Sequence, residues 1–134
     1  MRIEVLDKYE GEHFTPKVTI GNNVVFNTDC HIGAINEITI GDNVLLASRV
    51  LIIDHSHGKL TADDIETPAR SRKLFSKGAV RIGDNVWIGE GVAILPNVTI
   101  GKNAVIGSNS VVTSNIPENA IAAGIPARVI RIVE

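Results

Sequence analysis

The sequence predicts an all-β protein, a parallel β-helix of about four turns with one long loop extruded from the coil and a C-terminal cap strand. Three observations carry this: a strict six-residue beat, a scarcity of aromatic residues, and one long polar interruption of the beat. From Val80 to Ile116 the chain reads VRIGDN, VWIGEG, VAILPN, VTIGKN, AVIGSN, SVVTSN, with an aliphatic residue at Ile82, Ile88, Ile94, Ile100, Ile106 and Val112. A period of six is neither the 3.6 of a helix nor the 2 of a plain strand. It fits a prism in which each face takes one hexad and three hexads make a turn. Aromatic residues are 4% of the chain against 44% hydrophobic, so the core has to be stacked Ile and Val.

The elements follow in order, within a single domain spanning 1–134. Residues 1–17 form a lead-in, in which Arg2 to Leu6 alternates like a short strand and Gly11 and Pro16 punctuate the rest. The first turns, 18–54, place Ile20, Phe26 and Ile32 inward; the next inward position, Ile40, comes eight residues later. That slip predicts a bulge at a corner within Gly33–Ile38, after which Ile40, Leu46 and Ile52 resume the beat. Residues 55–79 form the extruded loop, acidic first (Asp63, Asp64, Glu66) and basic later (Arg70, Arg72, Lys73, Lys77). A long loop inside a strict repeat is a place for function. The last turns span 80–116, and 117–134 form the cap, with Pro117 and Pro126 stopping the coil and Val129–Ile132 making a final strand. So thin a prism buries little by itself, which predicts lateral association, most simply threefold with clefts between prisms.

A formal net charge of −2 gives no electrostatic case for nucleic acid or a membrane surface as a partner. The single cysteine, Cys30, excludes an internal disulfide framework and fits a reducing compartment. The first residues, MRIEVLDKYEG, lack the apolar run of a signal peptide, and no run reaches the ~20 apolar residues of a membrane span. The expected localisation is therefore cytoplasmic, without membrane insertion.

The hexads IGDNVWIGEGVAILPNVTIGKNAVIGSNSVVT, followed by IPENAIAAGIPARVIR, resemble the hexapeptide-repeat acyltransferases. Within them the chain is most similar to sugar and polysaccharide O-acetyltransferases, the group of the galactoside, maltose and nodulation-factor enzymes. DHSHG before the loop and P-x-R-x-R-x-L-x-S-K-G after it resemble capsule and lipopolysaccharide O-acetyltransferases. The resemblance covers roughly residues 18–132. It implies a left-handed coil, against the usual right-handed crossover. It also implies a homotrimer binding acetyl-CoA between subunits, with the long loop of one chain helping to close its neighbour's site.

Acetyl transfer from a thioester to a hydroxyl needs a base for the hydroxyl proton and donors for the oxyanion. Imidazole suits the first role, and the candidates are His13, His31, His55 and His57. His57 lies fifteen residues after Asp42, the spacing of the catalytic histidine in the galactoside and maltose enzymes, so the resemblance carries that role onto His57. His55, two residues away, points the same way if the strand stays extended and stays open as the alternative. Asp54 can orient either imidazole or contact the acceptor. For the acceptor the resemblance implies Asn27; the family's nearby aspartate falls on Ile35, a departure that leaves Asp29 and Asn36 as neighbours. For acetyl-CoA it implies Glu90 (through its backbone N–H), Ser108, Thr113, Arg128 and Arg131, the arginines matching phosphate geometry; Lys77 and Arg72 are weaker phosphate candidates. Trp87 points out of the prism, toward a subunit interface or the wall of the acceptor groove.

The expected function is thus CoA-dependent O-acetyl transfer to a sugar or polysaccharide-precursor hydroxyl by direct attack, with no metal. The alternatives are a non-catalytic structural β-helix, a γ-type carbonic anhydrase-like zinc enzyme built on His31, His55 and His57, and a nucleotide-sugar N-acetyltransferase.

Overall fold

In the computed structural model, which describes Met1–Glu134, three parallel sheets form the sides of a prism. The first face stacks Arg2–Val5, His31–Ala34, Leu51–Ile53, Ala93–Ile94 and Val111–Val112. The second stacks Lys17–Ile20, Glu37–Ile40, Val80–Ile82 and Thr99–Ile100, with Ile116 bridging to Ile100 beyond it. The third stacks Val25–Phe26, Leu45–Leu46, Trp87–Ile88, Val105–Ile106 and Ala120–Gly124, and ends in Ala127–Ile132, its one antiparallel strand. The chain visits second, third and first face in rotation, and the pairing sets Ile40, Ile82 and Ile100 in line, as it does Leu46, Ile88 and Ile106.

Each hexad sends two side chains inward. The beat residue is one; the residue two before it is the other, giving Val80/Ile82, Val86/Ile88, Val92/Ile94, Val98/Ile100 and Ala104/Ile106, all buried. In the last full turn Ser110 stands where these hexads have an aliphatic residue. Its hydroxyl donates to the Gly107 carbonyl (2.7 Å) and accepts the Gly124 N–H (3.0 Å), so the buried polar atom is satisfied. Ile20, expected inward, is 37% exposed, and Phe26 is half-buried, because their strands are the outermost of their sheets.

The corner between the second and third faces is polar. Asn23, Asn43, Asn85, Asn103 and Asn119 all have φ between 57° and 65°, a left-handed conformation that asparagine tolerates. Their amides form a ladder, Asn85 to Asn103 (3.3 Å) and Asn103 to Asn119 (2.9 Å). The preceding glycines are held to hydrogen by space: a Cβ on Gly83 would stand 2.8 Å from the Lys102 backbone nitrogen.

The slip at Gly33–Ile38 is a lengthened first-face strand, His31–Ala34, followed by a bend at Ile35–Asn36. The extruded segment is more ordered than its polar composition suggests. Ser56–His57 pairs antiparallel with Leu74–Phe75, and between them lie a helical turn at Ala62–Ile65 and a 3-10 turn at Ala69–Ser71. Buried Leu74 roots this ribbon. At the other end the parallel pairing runs past Pro117 into Ala120–Gly124 before the chain reverses at Ile125–Pro126. No helix is long and apolar enough to cross a membrane.

Candidate active site

Asp54 sits where the chain leaves the coil, and its side chain is fully buried. Its carboxylate accepts the Ile35 N–H (2.9 Å) and the Asn36 N–H (2.8 Å) from the bend one turn earlier. His55 Nδ1 lies 3.0 Å from the same carboxylate. The lengthened strand and the loop root are therefore one construction: two extra residues present two amides, and an aspartate answers both. The His55 ring is 14% exposed and folds back over Gly33, where a Cβ would meet its Cε1 at 3.4 Å and His31 Nε2 at 3.8 Å. His31 Nε2 is buried without a hydrogen-bond partner.

His57 has different surroundings. It is exposed, its ring nitrogens make no hydrogen bond within the chain, and its aromatic neighbour is Tyr9, edge-on with centroids 5.8 Å apart. Its backbone is held by the ribbon, and its carbonyl accepts from Arg72 (3.5 Å), whose guanidinium also reaches the carbonyls of Thr67 (2.8 Å) and Ile65 (3.3 Å). Arg72 is thus engaged in tying the loop together.

The remaining candidates fall on two corners of the prism. Asn36, Asp54, His55, His57 and Thr113 lie where the first face turns into the second. Asn27, Asp29, Glu90 and Ser108 lie where the third face turns into the first, all exposed, with Trp87 on the adjoining strand. Glu90 pairs with Arg49 (3.3 Å), and its own N–H donates to no atom of the chain. Asn36 donates to the Ser76 hydroxyl (3.1 Å). Arg128 and Arg131 are exposed on the terminal strand, and Arg128 also donates to the Ala127 carbonyl (3.1 Å). Cys30 is buried, its thiol directed at the Ala47 carbonyl (3.1 Å).

Three clefts border the loop. One of about 480 Å³ lies between the lead-in and the ribbon, lined by His13, Phe14, Ile35, Asn36, Phe75 and Ser76 among others. A second, about 510 Å³, lies within the loop between Lys59, Asp63, Asp64 and Lys73, with Glu12 at its edge. The third, about 320 Å³, joins the loop to the coil through Ser56, Lys59, Lys77, Leu95, Pro96 and Thr113. The contributions of Tyr9 and Phe14 were not legible in the sequence, and His13 was legible only as one of four candidate imidazoles, since nothing in the lead-in's pattern ties it to a loop some sixty residues on.

The profile of the bacterial transferase hexapeptide family (six repeats) matches residues 79–114. The WbbJ protein of Escherichia coli (strain K12), whose name assigns it to O-acetyl transfer in lipopolysaccharide biosynthesis, is 40% identical over 90% of this chain and 69% of its own length. Galactoside O-acetyltransferase of the same organism is 42% identical over 85% of this chain and 53% of its own. Among solved structures, a maltose O-acetyltransferase from Clostridium difficile 630 superposes with a TM-score of 0.79 at 41% identity, covering 98% of this chain and 64% of that one. A galactoside acetyltransferase in complex with coenzyme A gives 0.79 at 35% identity, covering 99% and 65%. The chain spans about two thirds or less of these proteins. Its parallel coil agrees with the left-handed β-helix of these relatives, and the chain belongs to the hexapeptide-repeat acyltransferase family.

Proposed function

We propose that the protein transfers acetyl from acetyl-CoA to a hydroxyl of a sugar or glycan precursor, with His57 as general base. The observation that carries the assignment is the contrast between the loop's two imidazoles. His55 is committed to a buried carboxylate, whereas His57 is exposed with both ring nitrogens free for a substrate. A base has to come within hydrogen-bond reach of the proton it removes. Family membership and the CoA complex of a galactoside acetyltransferase relative support the donor.

In this reading His57 accepts the acceptor's hydroxyl proton as that oxygen bonds to the thioester carbonyl carbon. The free Glu90 N–H is an available donor to the oxyanion. As the carbon–sulfur bond breaks, the imidazolium returns its proton to the departing thiolate. Cys30 is too deeply buried to form an acyl-enzyme. The division of candidate residues between two corners supports a site completed by a second copy, and the outward row Val25, Leu45 and Trp87 on the third face supports trimer packing there, at 50%, 39% and 53% exposure. Arg128, Arg131, Lys59 and Lys77 are the cations available to CoA phosphates. Asn27, Asp29, Asn36 and Trp87 are assigned to the acceptor side.

One observation favours a second reading, with His55 as the base: the Asp54–His55 pair has the form of an oriented imidazole. The zinc alternative needs three convergent ligands, and no group of three or more His, Cys, Asp or Glu side chains lies close enough within the chain to hold a metal. The test of the function is acetyl-CoA binding by calorimetry, together with thiol release across a panel of mono- and disaccharides. Sugar-stimulated release with an acetylated product is expected. Absence of both binding and release would overturn the acyltransferase reading.

A further inference from the structure

We infer that Tyr9 is a positioning residue for His57, and that the N-terminal hairpin clamps the loop carrying that histidine; this rests on the assignment of His57 as the base. Lys8–Tyr9 pairs antiparallel with Glu12–His13, turning through Glu10 and Gly11, both at positive φ (47° and 79°). From this hairpin three contacts reach the loop. The Tyr9 ring meets the His57 ring edge-on, with an interplanar angle of 71°. The Tyr9 hydroxyl donates to the Arg70 carbonyl. Glu12 pairs with Lys73 at 3.2 Å. The hairpin itself is anchored, because the strand before it, Arg2–Val5, belongs to the first face of the coil.

The clamp answers a need that the rest of the loop leaves open. The ribbon and Arg72 hold the His57 backbone, but neither fixes rotation of the imidazole, whose nitrogens have no partner in the chain. A base gains from being held near its productive rotamer before the acceptor arrives. The Tyr9 ring restrains the imidazole by shape while leaving both nitrogens free, and its hydroxyl fixes the ring to the far side of the loop. A carboxylate partner such as Asp54 instead occupies a ring nitrogen. The two histidines of the loop are thus held by different means, one spent on structure and one kept available.

The test uses the full chain with Tyr9→Phe and Tyr9→Ala. Its first readout is the NMR resonance of the His57 Cε1 proton, identified by its loss in His57→Asn. Tyr9→Ala is expected to shift that resonance by removing the ring current, and Tyr9→Phe to leave it close to wild type. In turnover, Tyr9→Ala is expected to lower kcat about 2- to 10-fold, the range set by one aromatic pair, with KM for acetyl-CoA unchanged, and Tyr9→Phe to restore most of the rate. An unmoved His57 resonance in Tyr9→Ala, or equal rates for Tyr9→Ala and wild type, overturns the inference. Should Tyr9→Ala fail to fold, Tyr9→Leu keeps bulk without a ring current, and its His57 resonance is read in the same way. The resonance needs no activity: a shift in a protein that neither binds acetyl-CoA nor turns over upholds the clamp and removes the acyltransferase reading. An active protein with an unmoved resonance does the reverse.

Discussion

Replacing Asp54 is the most informative perturbation of the scaffold, because one carboxylate joins two turns of the coil and the root of the loop. Asp54→Ala removes the acceptor of two backbone N–H groups, at Ile35 and Asn36, and of the His55 ring. Ile35 is 5% exposed, so its amide loses its partner without gaining water, while Asn36 is exposed and its amide can be partly rehydrated. An unpaired buried donor costs about 1–3 kcal/mol, and hydrogen bonds to a charged group are the stronger kind. Counting Ile35 in full and Asn36 in part gives a loss of about 2–5 kcal/mol. That is a large share of the 5–15 kcal/mol typical of a folded domain. Asp54→Asn keeps one oxygen for Ile35 but sets an NH₂ group against the Asn36 N–H, for a loss of about 1–3 kcal/mol. Urea denaturation at one fixed protein concentration reads both, with Glu66→Ala as an exposed-carboxylate control within about 0.5 kcal/mol of wild type. An Asp54→Ala protein within that same margin would refute the reasoning, as would an Asp54→Asn protein less stable than Asp54→Ala.

Three further outcomes follow. Ile94→Ala empties a fully buried position between Ile52 and Val112 and should cost about 2–5 kcal/mol by the same denaturation, with a loss under 1 kcal/mol contradicting the stacked core. Trp87→Glu puts a charge into the exposed apolar row of the third face; a central aromatic contact is worth about 2 kcal/mol or more, so the association constant should fall roughly 30-fold or further in analytical ultracentrifugation. Unchanged sedimentation would remove that row from the interface. Finally, if the site is shared between copies, co-refolding His57→Asn with Asn27→Ala should recover about a quarter of wild-type activity by random pairing, although each variant alone is weak. No recovery would place both corners' contributions within one chain.

Much of the coil was legible because its period is local and repeated. A beat residue every six positions is enough to say that Ile88 and Ile106 lie in line, and they do. The slip before Ile40 was legible as a bulge, but its cause was not, since the aspartate that caps the Ile35–Asn36 amides comes eighteen or nineteen residues later. The loop read as polar and shapeless because its ribbon depends on one buried residue, Leu74, and its outer contacts come from Tyr9 and Glu12. On the assumption of an extended strand His55 and His57 would point the same way, and only the spacing from Asp42 favoured His57. The chain instead bends off the coil at Asp54, turning one ring back onto the carboxylate and leaving the other exposed. Ser110 shows the opposite limit: a serine in an aliphatic register is explained only by the Gly107 carbonyl and Gly124 amide that meet it.

The central claim, that the free imidazole is the base, is tested most directly by kcat/KM for acetyl transfer in His57→Asn and His55→Asn, with acetyl-CoA affinity measured in both. The account predicts a loss of about 10²–10⁴-fold in His57→Asn with acetyl-CoA affinity retained, the range for removing a general base. His55→Asn, which can still hydrogen-bond Asp54, should lose far less. A large loss in His55→Asn beside a near-normal His57→Asn would contradict the claim and move the base to the Asp54–His55 pair.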